Sequence, residues 1–274
     1  TLAPIFTVTL LTDNGRPVPL QAQDRHWRPD RLRQTYDAPD FPISVVEKKT
    51  AHPNDVLVST FTIKNTADGA QTIHLVAWTL QPGAPTTDSD RLTDLTSQDD
   101  FLCFHRSLHT EGRPTYDLGC AFGLSAPPTS QSVVPSESGP DQPHWRYTPF
   151  YETFGPDVLG PAPQTASLDA PVIYLGLHTE RTIAADSADT VSVAFGAAPT
   201  AEQAGQQITD VLADDPPSRS TQDWNDHFAR LPSFECSDSH LQRYYWHRWY
   251  GLRLFTRRGD EGNYTHPAVY EGPE

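Results

Sequence analysis

The sequence predicts a mainly β protein: an antiparallel β-sandwich over residues 1–198, then a helical connector over 199–236 and a long helix early in 237–274. Three observations predict it. Residues 55–81, DVLVSTFTIKNTADGAQTIHLVAWTLQ, alternate with period two on both sides of a turn-forming Asn65-Thr66-Ala67-Asp68-Gly69. Strand-like segments recur through residue 195 with no helical period between them. At Pro199 the period changes, and the apolar residues begin to recur at helical spacing.

Taken in order, residues 4–11 alternate as a strand closed by the Asp13-Asn14-Gly15 turn. Residues 14–40 are polar and rich in Pro and Arg, which reads as a long excursion; 41–47 is extended again. In 55–81 both faces are apolar, so the segment is expected as a hairpin inside the sandwich. An acidic loop over 88–100 precedes strands at 101–110 and 115–124, and a Pro/Ser-rich surface loop occupies 125–142. Further strands are expected at 145–154, 172–177 and 183–195, the last turning at Asp186-Ser187-Ala188-Asp189. Thr200 caps a helix with Ala204, Ile208, Val211 and Leu212 on one side, and Pro216-Pro217 stops it. A second helix, capped by Ser220 or Thr221, places Trp224, Phe228 and Leu231 on one face before Pro232 ends it.

Ser237 is the expected cap of the third helix, with Asp238 in its first turn. At 3.6 residues per turn, Leu241, Tyr244, Tyr245, Arg248, Leu252 and Phe255 share a face, and Trp246, Trp249 and Tyr250 cover much of the rest. A helix apolar nearly all round is expected to be buried on several sides, with Arg248 held by an acidic partner or a ligand. The residues after it cannot supply that packing, so the chain reads as the front part of something larger. With no Met anywhere, not even at position 1, its first residue reads as other than a translation start.

The formal net charge of −15, with only Lys48, Lys49 and Lys64 as lysines, argues against nucleic-acid and anionic-membrane partners. No apolar run approaches a membrane span and no signal-peptide pattern is present. Of three cysteines, Cys103 and Cys120 fall on neighbouring expected strands and Cys236 stands alone; all are read as buried thiols. His105 and His109, four apart on a strand, lie about 13 Å from each other. No Cys-x-x-Cys, His-Glu-x-x-His or EF-hand pattern occurs, and Asp88, Asp90, Asp94 and Asp99 read as a solvated loop, so neither metal nor cofactor is expected. Trp78 reads as core. Trp27 and Trp145 stay open between core and a carbohydrate-binding surface.

Three stretches resemble the bacterial glycoside hydrolases with an (α/α)6 catalytic barrel, of the family 63 α-glucosidase and debranching-enzyme type. VLVSTFTIKNTADGAQTIHLVAWTL is similar to the supersandwich strands before the barrel. AFGAAPTAEQAGQQITDVL with STQDWNDHFARLPSFEC looks like the connector, and DSHLQRYYWHRWYGLRL like the first barrel helix. The resemblance implies the N-terminal portion of an enzyme acting on α-glucosides or related oligosaccharides, by carboxylate acid/base catalysis with inversion. Its carboxylate pair would lie beyond Glu274, and its partners would be a carbohydrate and the remainder of the barrel. In that setting the loop at the end of the chain reaches the barrel mouth. Glu271 would bind a sugar hydroxyl or orient water, and Tyr264, His266 and Tyr270 would line a subsite. The alternatives are a non-catalytic carbohydrate-binding or interaction module, and the same architecture with a retaining β-glucosidase or rhamnosidase chemistry.

Overall fold

Among the described residues, alternation along the strands sorts side chains into three buried clusters, and those clusters define the layers. The computed structural model describes residues 5–83, 91–108, 116–139, 144–160, 170–257, 259 and 265–269. Contacts divide the chain into two compact units, Thr1–Asp223 and Trp224–Glu274.

Among the described residues the first unit holds twelve strands: β1 (Thr7–Thr12), β2 (Gln21–Arg28), β3 (Arg31–Asp37), β4 (Ile43–His52), β5 (Val56–Asn65), β6 (Gln71–Pro82), β7 (Arg91–Ser97), β8 (Phe101–Leu108), β9 (Tyr116–Leu124), β10 (Ser130–Ser136), β11 (Val172–Ile183) and β12 (Ala188–Ala198). A four-stranded sheet runs β1-β6-β11-β10 and an eight-stranded sheet runs β2-β3-β4-β5-β12-β9-β8-β7. All pairings are antiparallel. The expected antiparallel sandwich is therefore present.

Ile73, Leu75 and Ala77 of β6 and Ile173, Leu175 and Leu177 of β11 meet Phe61, Ile63, Phe122, Val191 and Val193 of the larger sheet. The intervening residues are also buried. Val56, Val58, Ala121 and Ala194 pack under helix α2 (Ala201–Leu212), through its Ala204, Ile208 and Val211. On the smaller sheet Val76, Trp78 and Tyr174 pack against Trp145, Phe150 and Leu159. This double burial is why residues 55–81 are apolar on both faces.

That stretch is not a hairpin. β5 pairs with β4 and β12, whereas β6 pairs with β1 and β11, so the chain crosses between sheets at residues 66–70. β11 and β12 cross back the same way. Asn65, 0% exposed, joins the two crossings: its Nδ2 donates to the carbonyls of Gly69, Ile183 and Ala184 at 2.8–3.1 Å. Its Oδ1 accepts from the Ala67 N–H, and its own N–H donates to Ser187 O.

Other expectations are corrected at the edges. Residues 14–40 contain the β2–β3 hairpin. β2, QAQDRHWR, is exposed at every position and shows no apolar alternation, as suits an edge strand guarded by charge. The acidic loop contains β7, which buries only Leu92, and the Pro/Ser-rich loop contains β10, the other sheet's edge. Asp88 and Asp90 lie outside the described residues, as does His109. Residues 145–154 form no strand: Trp145–Tyr147 is a 3₁₀ turn and α1 (Phe150–Thr153) a single helical turn, with Pro149 at its cap. Cys103 and Cys120 are buried free thiols on opposite faces of the sheet, while Cys236 is exposed.

Thr200 caps α2 as expected, its hydroxyl accepting from the Gln203 N–H. The helix lies close because glycines floor its track. A Cβ on Gly119 of β9 would stand 1.9 Å from the Thr200 carbonyl carbon. Helix α3 (Pro216–Ala229) starts earlier than expected, because proline costs nothing in a first helical turn. Ser220 and Thr221 are then inside it rather than capping it. They donate to the backbone O and Oδ2 of Asp30, which is 3% exposed and also paired with Arg28 and Arg31.

The second unit contains α4 (Ser239–Phe255), capped by Asp238, one residue later than expected, through bonds from His240 N and Leu241 N. Trp224 and Phe228 of α3 meet Tyr250 and Trp246, and the Arg253 guanidinium lies 4.2 Å over the Trp224 ring. No residue of α4 is buried; Leu241, Tyr244, Leu252 and Phe255 are exposed along one stripe. Arg248, expected to be buried and paired, is exposed beside the Tyr244 ring at 5.8 Å.

Candidate functional site

Candidate site residues fall in the C-terminal loop and in a groove of the sandwich. In the C-terminal loop, Tyr264, Tyr270 and Glu271 lie outside the described residues. His266 is exposed at the foot of a ladder in which β13 (Thr256–Arg257) pairs with β14 (Ala268–Val269). A Cβ on Gly259 would come within 2.7 Å of the His266 backbone, so glycine permits this return of the chain towards the end of α4.

The second place is a groove in the sandwich, of about 400 Å³, lined among others by Phe6, Trp27, Leu32, Lys49, Leu57 and Ser59. Cross-strand register builds it. Trp27 pairs with Leu32, Leu32 with Lys49 and Lys49 with Ser59, which sets four side chains in one row on one face of β2-β3-β4-β5. The next row is Arg25, Gln34, Glu47 and Phe61, where the polar face gives way to core.

Glu47 is the hub of these rows. It is 5% exposed, and burial of a carboxylate demands compensation. Tyr36 donates to its Oε2 at 2.7 Å, Ser59 donates to its Oε1 at 2.9 Å, and Lys49 Nζ stands 3.3 Å from Oε1. Burial first, and then the bond to Glu47, push the Tyr36 phenol well above its ordinary pKa, so it stays a donor. Arg25 donates to Gln34 Oε1 beside it. Trp27, 54% exposed, forms the outer wall. Both buried carboxylates here, Glu47 and Asp30, are engaged by donors. This arrangement suits holding a ligand rather than moving protons.

Sequence reasoning left Trp27 open and passed over Glu47. The available signal was RHWRPDRLR, in which a Pro29-Asp30 turn sets Arg25 and Trp27 opposite Gln34 and Leu32. Among the described residues no cluster of three His, Cys, Asp or Glu is placed to hold a metal, and no helix is long and apolar enough to cross a membrane.

No protein-family model matches the chain, and no curated protein does. Solved structures do. A human-microbiome protein provisionally named a kojibiose phosphorylase superposes with a TM-score of 0.55 at 9% identity, over 90% of this chain and 30% of that one. A family 92 α-mannosidase from Bacteroides thetaiotaomicron gives 0.46 at 10% identity, and a family 92 glycosyl hydrolase 0.49 at 13%, each over 97% of this chain and 35% of the other. The chain thus spans about a third of the length of the structures it matches. What the first likeness establishes is the fold: a mainly β, antiparallel sandwich followed by helices, shared over nine-tenths of this chain.

Proposed function

We propose that the chain is the N-terminal portion of a glycoside hydrolase acting on α-glucosides or related oligosaccharides. Residues 1–198 are its supersandwich, 199–236 the connector, and 237–274 the start of an (α/α)6 catalytic barrel. The observation that carries this reading is the fold likeness covering 90% of this chain and 30% of a protein provisionally named a kojibiose phosphorylase. The exposed stripe of Leu241, Tyr244, Leu252 and Phe255 on α4 supports it, since the succeeding helices of a barrel would cover such a face.

In the proposed reaction one carboxylic acid beyond Glu274 protonates the departing glycosidic oxygen. A second carboxylate takes a proton from water as its oxygen bonds to the anomeric carbon, and the C–O bond breaks with inversion. Tyr264, His266, Tyr270 and Glu271 line the mouth of the pocket, and Glu271 holds a substrate hydroxyl. The test is turnover of an aryl α-glucoside by the complete protein, followed by NMR of the first anomer released. β-Glucose is expected. Absence of turnover would return the sandwich to a non-catalytic carbohydrate-binding or interaction module, and an α product would make the enzyme retaining.

Substituting Glu271→Gln sizes the role of the loop. Loss of a hydroxyl contact lowers kcat/KM by an amount equivalent to about 1.5–3 kcal/mol. Loss of a general base costs roughly two to four orders of magnitude. An unchanged kcat/KM removes Glu271 from the site.

A further inference from the structure

We infer that the groove walled by Trp27 is a saccharide-binding site, separate from the C-terminal loop, that takes a short neutral oligosaccharide. Recognition of a pyranose needs an aromatic face for the C–H side of the ring and fixed polar groups for its hydroxyls. The accessible part of the row, Trp27, Leu32 and Lys49, supplies both, in register, and the buried Ser59 braces Glu47 behind it. Two strand spacings separate Trp27 from Lys49, about 10 Å, which matches roughly two pyranose rings laid across the strands. The cavity of about 400 Å³ lies within the range of small-ligand sites.

The polar groups are fixed before any ligand arrives. Lys49 Nζ is held by Glu47, which is itself clamped by Tyr36 and Ser59, and the ammonium keeps further N–H donors for hydroxyl oxygens. At the rim the Arg28 guanidinium is steered by Asp30 and half-exposed. Such pre-organisation lowers the cost of binding a flexible polyol.

Charge selects the ligand class. The cations that line the groove are matched by buried acids: Arg28 and Arg31 by Asp30, and Lys49 by Glu47. The chain as a whole carries −15. An anionic sugar would meet cations already ion-paired to buried carboxylates and would approach against the overall field, whereas a neutral sugar meets donors without a charge penalty. The choice of a sugar rests on the carbohydrate reading proposed above; the position of the site does not.

The experiment is calorimetric and NMR titration of the 274-residue chain with maltotriose, cellotriose and glucose 6-phosphate. One of the neutral trisaccharides is expected to bind with a Kd of about 1 mM or below. Trp27→Ala weakens that binding at least roughly tenfold and Trp27→Phe only about two- to threefold, as expected for a stacking platform. Unfolding midpoints of both variants stay at the parent value, because Trp27 sits on an exposed edge strand. No binding of either trisaccharide, binding indifferent to Trp27→Ala, or a preference for the phosphorylated sugar each overturns the proposal. Turnover by the complete protein without groove binding sinks this site alone. Groove binding without turnover sinks the enzyme reading alone.

Discussion

Replacing Asn65 with leucine is expected to lower the unfolding free energy of the sandwich by about 3–5 kcal/mol. Leucine keeps the branching and heavy-atom count of asparagine, so the change opens no cavity; its methyl groups are bulkier than the amide and add crowding to the lost hydrogen bonds. Three carbonyls lose a donor, those of Gly69, Ile183 and Ala184, and the Ala67 N–H loses its acceptor. Each buried group left without a partner costs on the order of 1–3 kcal/mol. Both crossings between the sheets are affected at once, since the Asn65 amide ties residues 66–70 to the end of β11. Aspartate at this position keeps the acceptor but loses the donors and brings a charge into the same buried place, so Asn65→Asp is expected to be at least as harmful. Urea midpoints of the two variants check this, and a leucine variant within about 1 kcal/mol of the parent would remove the joint from the account.

Acidification is expected to weaken the sandwich through a buried histidine pair on the outer face of the smaller sheet. His74 and His178 are both 0% exposed, with Nδ1 of the first 2.9 Å from Nε2 of the second. His178 Nδ1 continues to the Ser130 hydroxyl, which accepts from Leu159 N–H, and the Phe154 ring stands edge-on to both imidazoles. Burial, and then the neighbouring His74, hold the His178 pKa down to about 4. Burial also lowers His74, against the opposing pull of Glu180, Asp13 and Asp157. The unfolded chain protonates these rings near pH 6.5, before the native state does. Stability from this source is therefore complete above about pH 6.5, falls as pH drops towards 4, and levels off below that value. For His178 the loss between pH 7.5 and 4.5 is on the order of 2–3 kcal/mol. Denaturant midpoints across that interval for the parent and for His178→Gln check the origin. The parent should show the steeper loss, and equal slopes would assign the acid sensitivity elsewhere.

What the sequence made legible follows burial. β5, β6, β12 and α2 were readable because packing on one or both faces imposes a period on Val56–Asn65, Gln71–Pro82, Ala188–Ala198 and Ala201–Leu212. β2, β7 and β10 were not, because edge strands bury little and their residues answer to solvent. Period also says nothing about partners. Asn65 to Gly69 carries turn chemistry that serves a hairpin and a crossing between sheets equally well, and only the pairing of β5 with β12 and of β6 with β11 separates them. The groove was hidden for the same reason as β2. Trp27 and Lys49 are twenty-two positions apart in sequence and share a row only through the intervening Leu32.

The aromatic helix was legible in type, and the proposed function turns on its exposure in this chain. Its exposed stripe of Leu241, Tyr244, Leu252 and Phe255 is the surface that the rest of a catalytic barrel would cover. Amide hydrogen exchange across Ser239–Phe255, compared between the 274-residue chain and the complete protein, tests this most directly. The account predicts slowing by roughly tenfold or more in the complete protein, as buried helices exchange only through larger openings. Equal exchange in the two, with the helix still formed, would contradict it.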